Sequence, residues 1–315
     1  MIVVGGEALV DLVPEGSAVP PELARLTPRL GGGPYNVAIA LARLGSSTSF
    51  LSRISRDNFG QALLERLHTS GVGSALVQHG VEPTTLAVVS PQPDGSAGYS
   101  FYTDGTADRL ISDPGPLSPG VRALCLGTLS LALEPGATTY EQVLLRESAR
   151  EVFIALDPNI RPELIEDPTA YRNRFGTWLP HLGLLKLSVE DARWLANDED
   201  SDPLTHAQRW AGLGPAAVVL THGADGLTVV TRAGVHVEIP GIPAEVVDTI
   251  GAGDTVQGAL LHWLDCHAAL STAGIAELSP QQWRAALEFA ARAAAITCSR
   301  PGAEPPCATE MASRS

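Results

Sequence analysis

The residues best placed to do chemistry lie in DTIGAGDTVQGALL, residues 248 to 261, where Gly251, Ala252 and Gly253 lead directly into Asp254. Small residues let a backbone turn tightly and come close to a ligand. The spacing predicts a helix from Asp254 to Leu264 whose first amides lack intrahelical partners. With the helix dipole they form an anion site, a contribution of typically about 0.3 to 1 kcal/mol where exposed. A carboxylate beside such a site suits phosphoryl transfer, which needs a base for the attacking hydroxyl and donors for the phosphate oxygens. The same four residues also read as a plain helix start, because Asp is a favoured N-cap.

A second constellation is LGGGPYNVAIALARLG, residues 30 to 45, in which three glycines precede a helix opened by Pro34 and carrying Ala38, Leu41 and Leu44 at helical spacing. Asn36, in its first turn, can donate and accept toward a polyhydroxyl ligand, or simply cap the helix. Asp11, after the first strand run, reads either as a ligand for paired hydroxyls or as a turn residue. Two other phosphate motifs are excluded. A P-loop needs a lysine after its last glycine, and the only lysine, Lys186, sits in HLGLLKLS. The glycines of 251 to 258 are spaced GxGxxxxG and follow no early strand, so they do not make a dinucleotide fingerprint.

The elements that must position these residues alternate. FIALD, GLLKLS and AAVVLT are short apolar runs separated by helical patterns, one of them near 168 to 180, which predicts a parallel sheet covered on both faces. Ligands on such sheets bind beyond the carboxyl ends of the strands, where Asp157, Thr221 and Asp254 fall. TTLAVVSPQPDGSAGYSFYT, residues 84 to 103, reads as an antiparallel hairpin around a Pro-Asp-Gly turn, a flap beside the main sheet. GAEPPCATEMASRS, at the end, has no periodicity and is expected to fray.

Composition bounds the function. A chain of 315 residues with 44% hydrophobic content can bury a large α/β core. A formal charge of -14 argues against nucleic acid or an anionic membrane as partner, since both need basic footprints. The four cysteines, Cys125, Cys266, Cys298 and Cys307, have no metal-ligand spacing and read as free thiols. With no basic n-region and no long apolar run, a cytoplasmic address is expected.

Taken together, GGGPYNVAIALARLG and DTIGAGDTVQGALL resemble the two signatures of the ribokinase-like (pfkB-type) family of carbohydrate kinases, and within it the fructokinases. DPNIR at 157 to 161, KLSVEDARWL at 186 to 195, THGADG at 221 to 226 and RPGAEPP at 300 to 306 extend the resemblance over essentially the whole chain. It implies one α/β domain over residues 1 to 315. A central, mainly parallel β-sheet is flanked by helices on both faces, with a small β lid from about residues 12 to 30 and 84 to 106. The implied reaction moves the ATP γ-phosphoryl group to a sugar hydroxyl.

By this match Asp254 is the catalytic base and Gly251, Ala252 and Gly253 donate to the charge on the transferred group, contacts worth about 2.7 to 4 kcal/mol where measured. Asp254 needs no raised pKa on this reading, because the hydroxyl proton leaves late in a loose transition state. Asp11, Gly32, Gly33 and Asn36 match sugar-contacting positions. Phe101 belongs either on the sugar's apolar edge or in the lid core, and Arg161 either on sugar or phosphate oxygens or in a surface ion pair. Lys186, Ser188, Thr221, Gly223, Asp225 and Gly226 fall on the nucleotide side. Mg²⁺ arrives with ATP. The family's Asn-x-x-Glu element near that metal reads Ser188-Val189-Glu190-Asp191, so Asp191 or Glu190 substitutes. Asp248, Ile250 and the carbonyls around Arg300 and Gly302 suggest a potassium-like site.

Thr103 stands where 2-keto-3-deoxygluconate kinases carry an arginine, and Arg109 is the only Lys or Arg between Arg66 and Arg122, which disfavours a sugar phosphate. The expected substrate is therefore a neutral sugar, with fructose first. Ribokinase, 2-keto-3-deoxygluconate kinase and nucleoside kinase activities are the enzyme alternatives. A sugar-binding regulatory protein is the alternative from another class, and a homodimer through the lid is expected from the family's habit.

Overall fold

The computed structural model describes residues 1–15, 24–91 and 97–312. The chain opens with β1 (Ile2–Gly5), β2 (Leu9–Glu15) and β3 (Arg25–Gly31), then α1 (Gly33–Leu44), β4 (Thr48–Ser55) and α2 (Asn58–Thr69). Four further strands follow, β5 (Val77–Gly80), β6 (Thr85–Pro91), β7 (Ala97–Tyr102) and β8 (Ala123–Gly127). From there strand and helix alternate through α3 (Gly136–Ala149), β9 (Phe153–Asp157), α4 (Pro168–Trp178), β10 (Leu184–Ser188), α5 (Val189–Ala196), α6 (Pro203–Leu213) and β11 (Ala217–Thr221). The last part holds β12 (Gly226–Thr231), β13 (His236–Pro240), α7 (Ala252–Cys266), α8 (Thr272–Ala276), α9 (Pro280–Cys298) and α10 (Ala308–Ala312).

Nine strands form one sheet in the order β13-β12-β11-β10-β9-β8-β1-β4-β5. It is parallel from β5 through β11, and β12 and β13 add antiparallel at one edge. Successive strand side chains alternate between its faces. Val4, Cys125, Ala155, Leu184 and Val219 therefore join one buried cluster with α1, α7 and α9. Val3, Leu124, Leu156, Leu185 and Val218 join another with α3, α4 and α6. Continuous apolar runs such as FIALD are what a strand buried on both faces requires.

The remaining four strands form a second sheet, β3-β2-β6-β7. β2 pairs antiparallel with β3 and parallel with β6, and β6 pairs antiparallel with β7 from Leu86 opposite Tyr102 to Pro91 opposite Ala97. The hairpin read from the sequence is thus present, while its Pro93-Asp94-Gly95 turn lies outside the described residues. The sheet begins at Leu9, earlier than the expected residue 12, and so carries Asp11.

Two expectations are corrected. The helix expected from Asp254 begins at Ala252, with Gly251 as its N-cap, so Asp254 is the third helical residue. The tail expected to fray is packed as far as Ala312. Met311 is buried, Glu304 pairs with Arg43 at 2.7 Å and Arg66 at 2.8 Å, and Arg300 pairs with Glu310. Among the described residues no helix is long and apolar enough to cross a membrane, and the four cysteines are free.

Candidate active site

The carboxyl ends of β9, β10 and β11 deliver Asp157, Ser188 and Thr221 to one edge of the large sheet. α1 and α7 lie side by side above it, close enough that a Cβ on Gly258 would meet Ala40 Cβ at 2.8 Å. That contact brings Asn36 to Asp254 from 218 positions away: Asn36 Nδ2 donates to Asp254 Oδ2 at 2.9 Å. A cavity of about 440 Å³ opens here. The body of the protein contributes Gly32, Gly33, Asn36, Arg161, Lys186 and Asp254 to its wall, and the second sheet contributes Asp11, Tyr99 and Phe101.

Two glycines set the geometry of the α7 start. Gly251 has φ 76°, a left-handed conformation that costs a residue with a Cβ about 1 to 2 kcal/mol. At Gly253 the reason is proximity, since a Cβ there would lie 3.0 Å from Lys186 Nζ. The amide of Ala252 donates back to Thr249 O at 3.2 Å, which leaves the first-turn amides of Gly253 and Asp254 for a ligand. The plain cap reading fails, because the N-cap is Gly251 and the Asp254 carboxylate faces Asn36.

Burial governs the charges. It pushes the Asp254 carboxyl up to about 7, against the hydrogen bond from Asn36 that favours the ionised form. Asp254 thus has a raised pKa, which the sequence reading did not require. Asp11 is likewise raised to about 6 by burial, with Arg161 opposing and Asp248 reinforcing. Lys186 Nζ donates to Asp157 Oδ2 at 2.7 Å, both side chains being buried. Burial alone lowers the Lys186 pKa, but the charge and hydrogen bond of Asp157 outweigh it and hold the ammonium protonated. Arg161 Nη1 donates to Asn159 Oδ1 at 2.7 Å and to the Ile160 carbonyl, so the surface ion pair is not what holds it.

A second cavity, about 520 Å³ and mostly apolar, adjoins the first. Thr221, Gly223, Thr249 and Gly253 line both. Its far wall is Val246, Val256, Ala291, Ala294, Ala295 and Cys298. Gly226 lines it as well, but Asp225 reaches neither cavity: its side chain is exposed and its carbonyl accepts from Gly241 N.

The two metal readings differ in fit. Asp191 is buried and both oxygens are taken, Oδ1 by Ile160 N at 2.8 Å and Oδ2 by Ser188 N at 3.1 Å, as part of the capping box of α5. Glu190 is exposed and lines the first cavity. Asp248 gathers the potassium-like set, accepting from Ile250 N at 3.0 Å and Gly302 N at 2.8 Å, while the Arg300 side chain turns away to Glu310. Among the described residues no three His, Cys, Asp or Glu side chains cluster as a metal cage.

The sequence profile of pfkB family carbohydrate kinases matches residues 1–310. The chain is 37% identical to a fructokinase of Rhizobium leguminosarum bv. trifolii over 286 residues, 90% of this chain and 86% of that protein. It is 30% identical to a fructokinase of Escherichia coli over 98% of this chain and 97% of the other. A crystal structure of a fructokinase with bound ATP from Xylella fastidiosa superposes with a TM-score of 0.87 at 26% identity, covering 99% and 97% of the two chains. This protein belongs to the pfkB family of carbohydrate kinases.

Several residues of this carbohydrate kinase's site escape a sequence reading. Glu7 is buried, accepts from Gly33 N and Ser130 N, both at 3.2 Å, and is bonded by the Thr128 hydroxyl, so it ties β1 to the start of α1. Tyr99 stacks on Phe101 with ring centroids 5.7 Å apart and shares the cavity wall. The strand period of two was the available signal for Tyr99. Nothing local marks Glu7, whose partners come from the start of α1 and from the turn after β8.

Proposed function

We propose that this kinase phosphorylates a neutral hexose, fructose before others, with Asp254 taking the proton of the attacking hydroxyl. The observation that carries the reading is the place of Asp254: buried in the first turn of α7, facing the polar cavity, one residue from the glycine that lines both cavities. Sugar in the first cavity and nucleoside in the second bring the γ-phosphoryl group to the amides of Gly253 and Asp254. The sugar O–H then gives its proton to Asp254, the oxygen bonds to Pγ, and the bond to ADP breaks with its electron pair leaving on ADP. Asp11, Asn36 and Arg161 hold the sugar's hydroxyls, and the Tyr99–Phe101 stack covers its apolar side.

Arg109 is engaged by Glu134 O, Thr103 O and Asp104, which disfavours a sugar phosphate. The relatives named fructokinase support the choice of hexose. Magnesium bound to the nucleotide would neutralise phosphate charge, with Glu190 as the available carboxylate and the phosphates supplying most of its oxygens. Of the potassium-like set, Asp248 offers a carboxylate, the hard oxygen donor a potassium ion takes, though both its oxygens already accept from the amides of Ile250 and Gly302. A coupled ADP-release assay with fructose, ribose, 2-keto-3-deoxygluconate, fructose 6-phosphate and adenosine, run with Mg²⁺ and K⁺, tests the reading. Fructose leads, and Asp254→Asn loses at least about 10²-fold in kcat. Another acceptor leading removes the hexose assignment, and an active Asp254→Asn removes the base.

A further inference from the structure

Asp157 has no part in the reading above, yet it sits beneath the reacting groups. Its Oδ2 holds Lys186 Nζ, and Nζ would lie 3.0 Å from a Cβ on Gly253, whose amide the proposed mechanism turns toward the transferred group. Its Oδ1 is buried without a hydrogen-bond partner among the described residues. It borders a small, partly open pocket of about 10 Å³, lined by Asp254 and Thr128 and also by Pro34, Val37, Cys125 and Leu126. That is room for about one water's centre, with both carboxylates at its wall as polar partners. An orphaned carboxylate oxygen at the wall of a one-water space is otherwise a costly arrangement.

We propose that Asp157 is a positioning residue of the phosphoryl transfer. It pins Lys186 under the α7 N-terminus with one oxygen, and through one bridging water it faces Asp254 with the other. The proposal rests on the kinase reading. Its physical content is a competition. Lys186 has three carboxylates in its field, Asp157, Asp191 and Asp254. While Asp157 holds the ammonium, its charge serves the anion site and Asp254 stays free to accept a proton. Without Asp157 the ammonium turns to the remaining carboxylates, and Asp254, paired with it, becomes a poorer base. Asp157 raises the pKa of Asp254 while Lys186 and Arg161 lower it, and Glu7, Asp11, Glu190 and Asp191 line the same cavity. Neutralising Asp157 removes the anion that acts most on Asp254 and leaves both cations.

The test compares wild type, Asp157→Asn, and the neutral pair Asp157→Asn/Lys186→Gln, which leaves polar side chains at both positions while removing both buried charges. Misplacement of about 1 Å costs about 10²-fold in rate. The expected result is a fall of that order in kcat for both variants, with the sugar KM little changed, and an acid limb of kcat/KM displaced to lower pH in Asp157→Asn. A crystal structure of the wild type should show an ordered water between Asp157 Oδ1 and Asp254. Wild-type kcat and an unmoved acid limb in folded Asp157→Asn overturn the proposal, as does a folded neutral pair with full turnover. An empty space between the two carboxylates overturns its water. A wild type that consumes no ATP with any acceptor removes the kinase reading instead.

Discussion

Asp254 is a carboxylate whose surroundings resist its charge. Its pKa rises from 3.8 in an unfolded chain to about 7 in the fold, chiefly by burial. The protonated form therefore folds most easily: stability from this group is complete below pH 3.8 and is lost as pH rises through about 7. On the proposed mechanism activity runs the opposite way, because Asp254 must be ionised to accept the proton. The acid limb of kcat/KM should fall near pH 7, and a limb near pH 4 in a pH–rate profile would deny the buried state. Asp254→Asn, inactive, should be more stable than wild type at pH 8 by up to about 4 kcal/mol, with the gap closing toward pH 4. Denaturant melts at the two pH values check this. The sequence made Asp254 legible, because Gly-Ala-Gly before a carboxylate is a local pattern. Asp157 was legible only as a strand-end residue, and Glu7 not at all, since what makes a buried acid functional is the set of groups other elements bring to it.

The start of α7 shows the limits of pattern reading on an element. Gly-Ala-Gly reads as a turn because glycine is a poor helix former, and so the sequence placed the helix two residues late. Gly251 alone takes the left-handed conformation, and Gly253 is helical for want of space above it. Alanine at 253 should thus leave the helix intact or stabilise it, by roughly 0.5 to 1 kcal/mol, while displacing Lys186. We expect Gly253→Ala to lose at least about 10-fold in kcat with an unchanged or higher melting temperature, a separation that kinetics and calorimetry on one preparation would reveal. Equal losses of both would mean that the glycine serves the fold.

Across the whole molecule, the mainly parallel sheet covered on both faces follows from the alternation of apolar runs and helical patterns that the sequence displays, whereas the strand order and the antiparallel β12 and β13 at its edge do not. The C-terminal segment does not, because its anchors are Arg43 and Arg66, far back in the chain, and not a repeat of its own. Those pairs are partly exposed and add little singly, so the burial of Met311 should carry the attachment. Met311→Ala is expected to cost about 2 kcal/mol or more, measured by urea unfolding; a change within error would show the segment to be dispensable. Gly253 lies in the wall of both cavities. A single compound with a sugar at one end and a nucleoside at the other, joined by a spacer the length of the phosphates, would meet both cavities at once. Its second contact becomes intramolecular, so the avidity gained depends on the tether's length more than on either end.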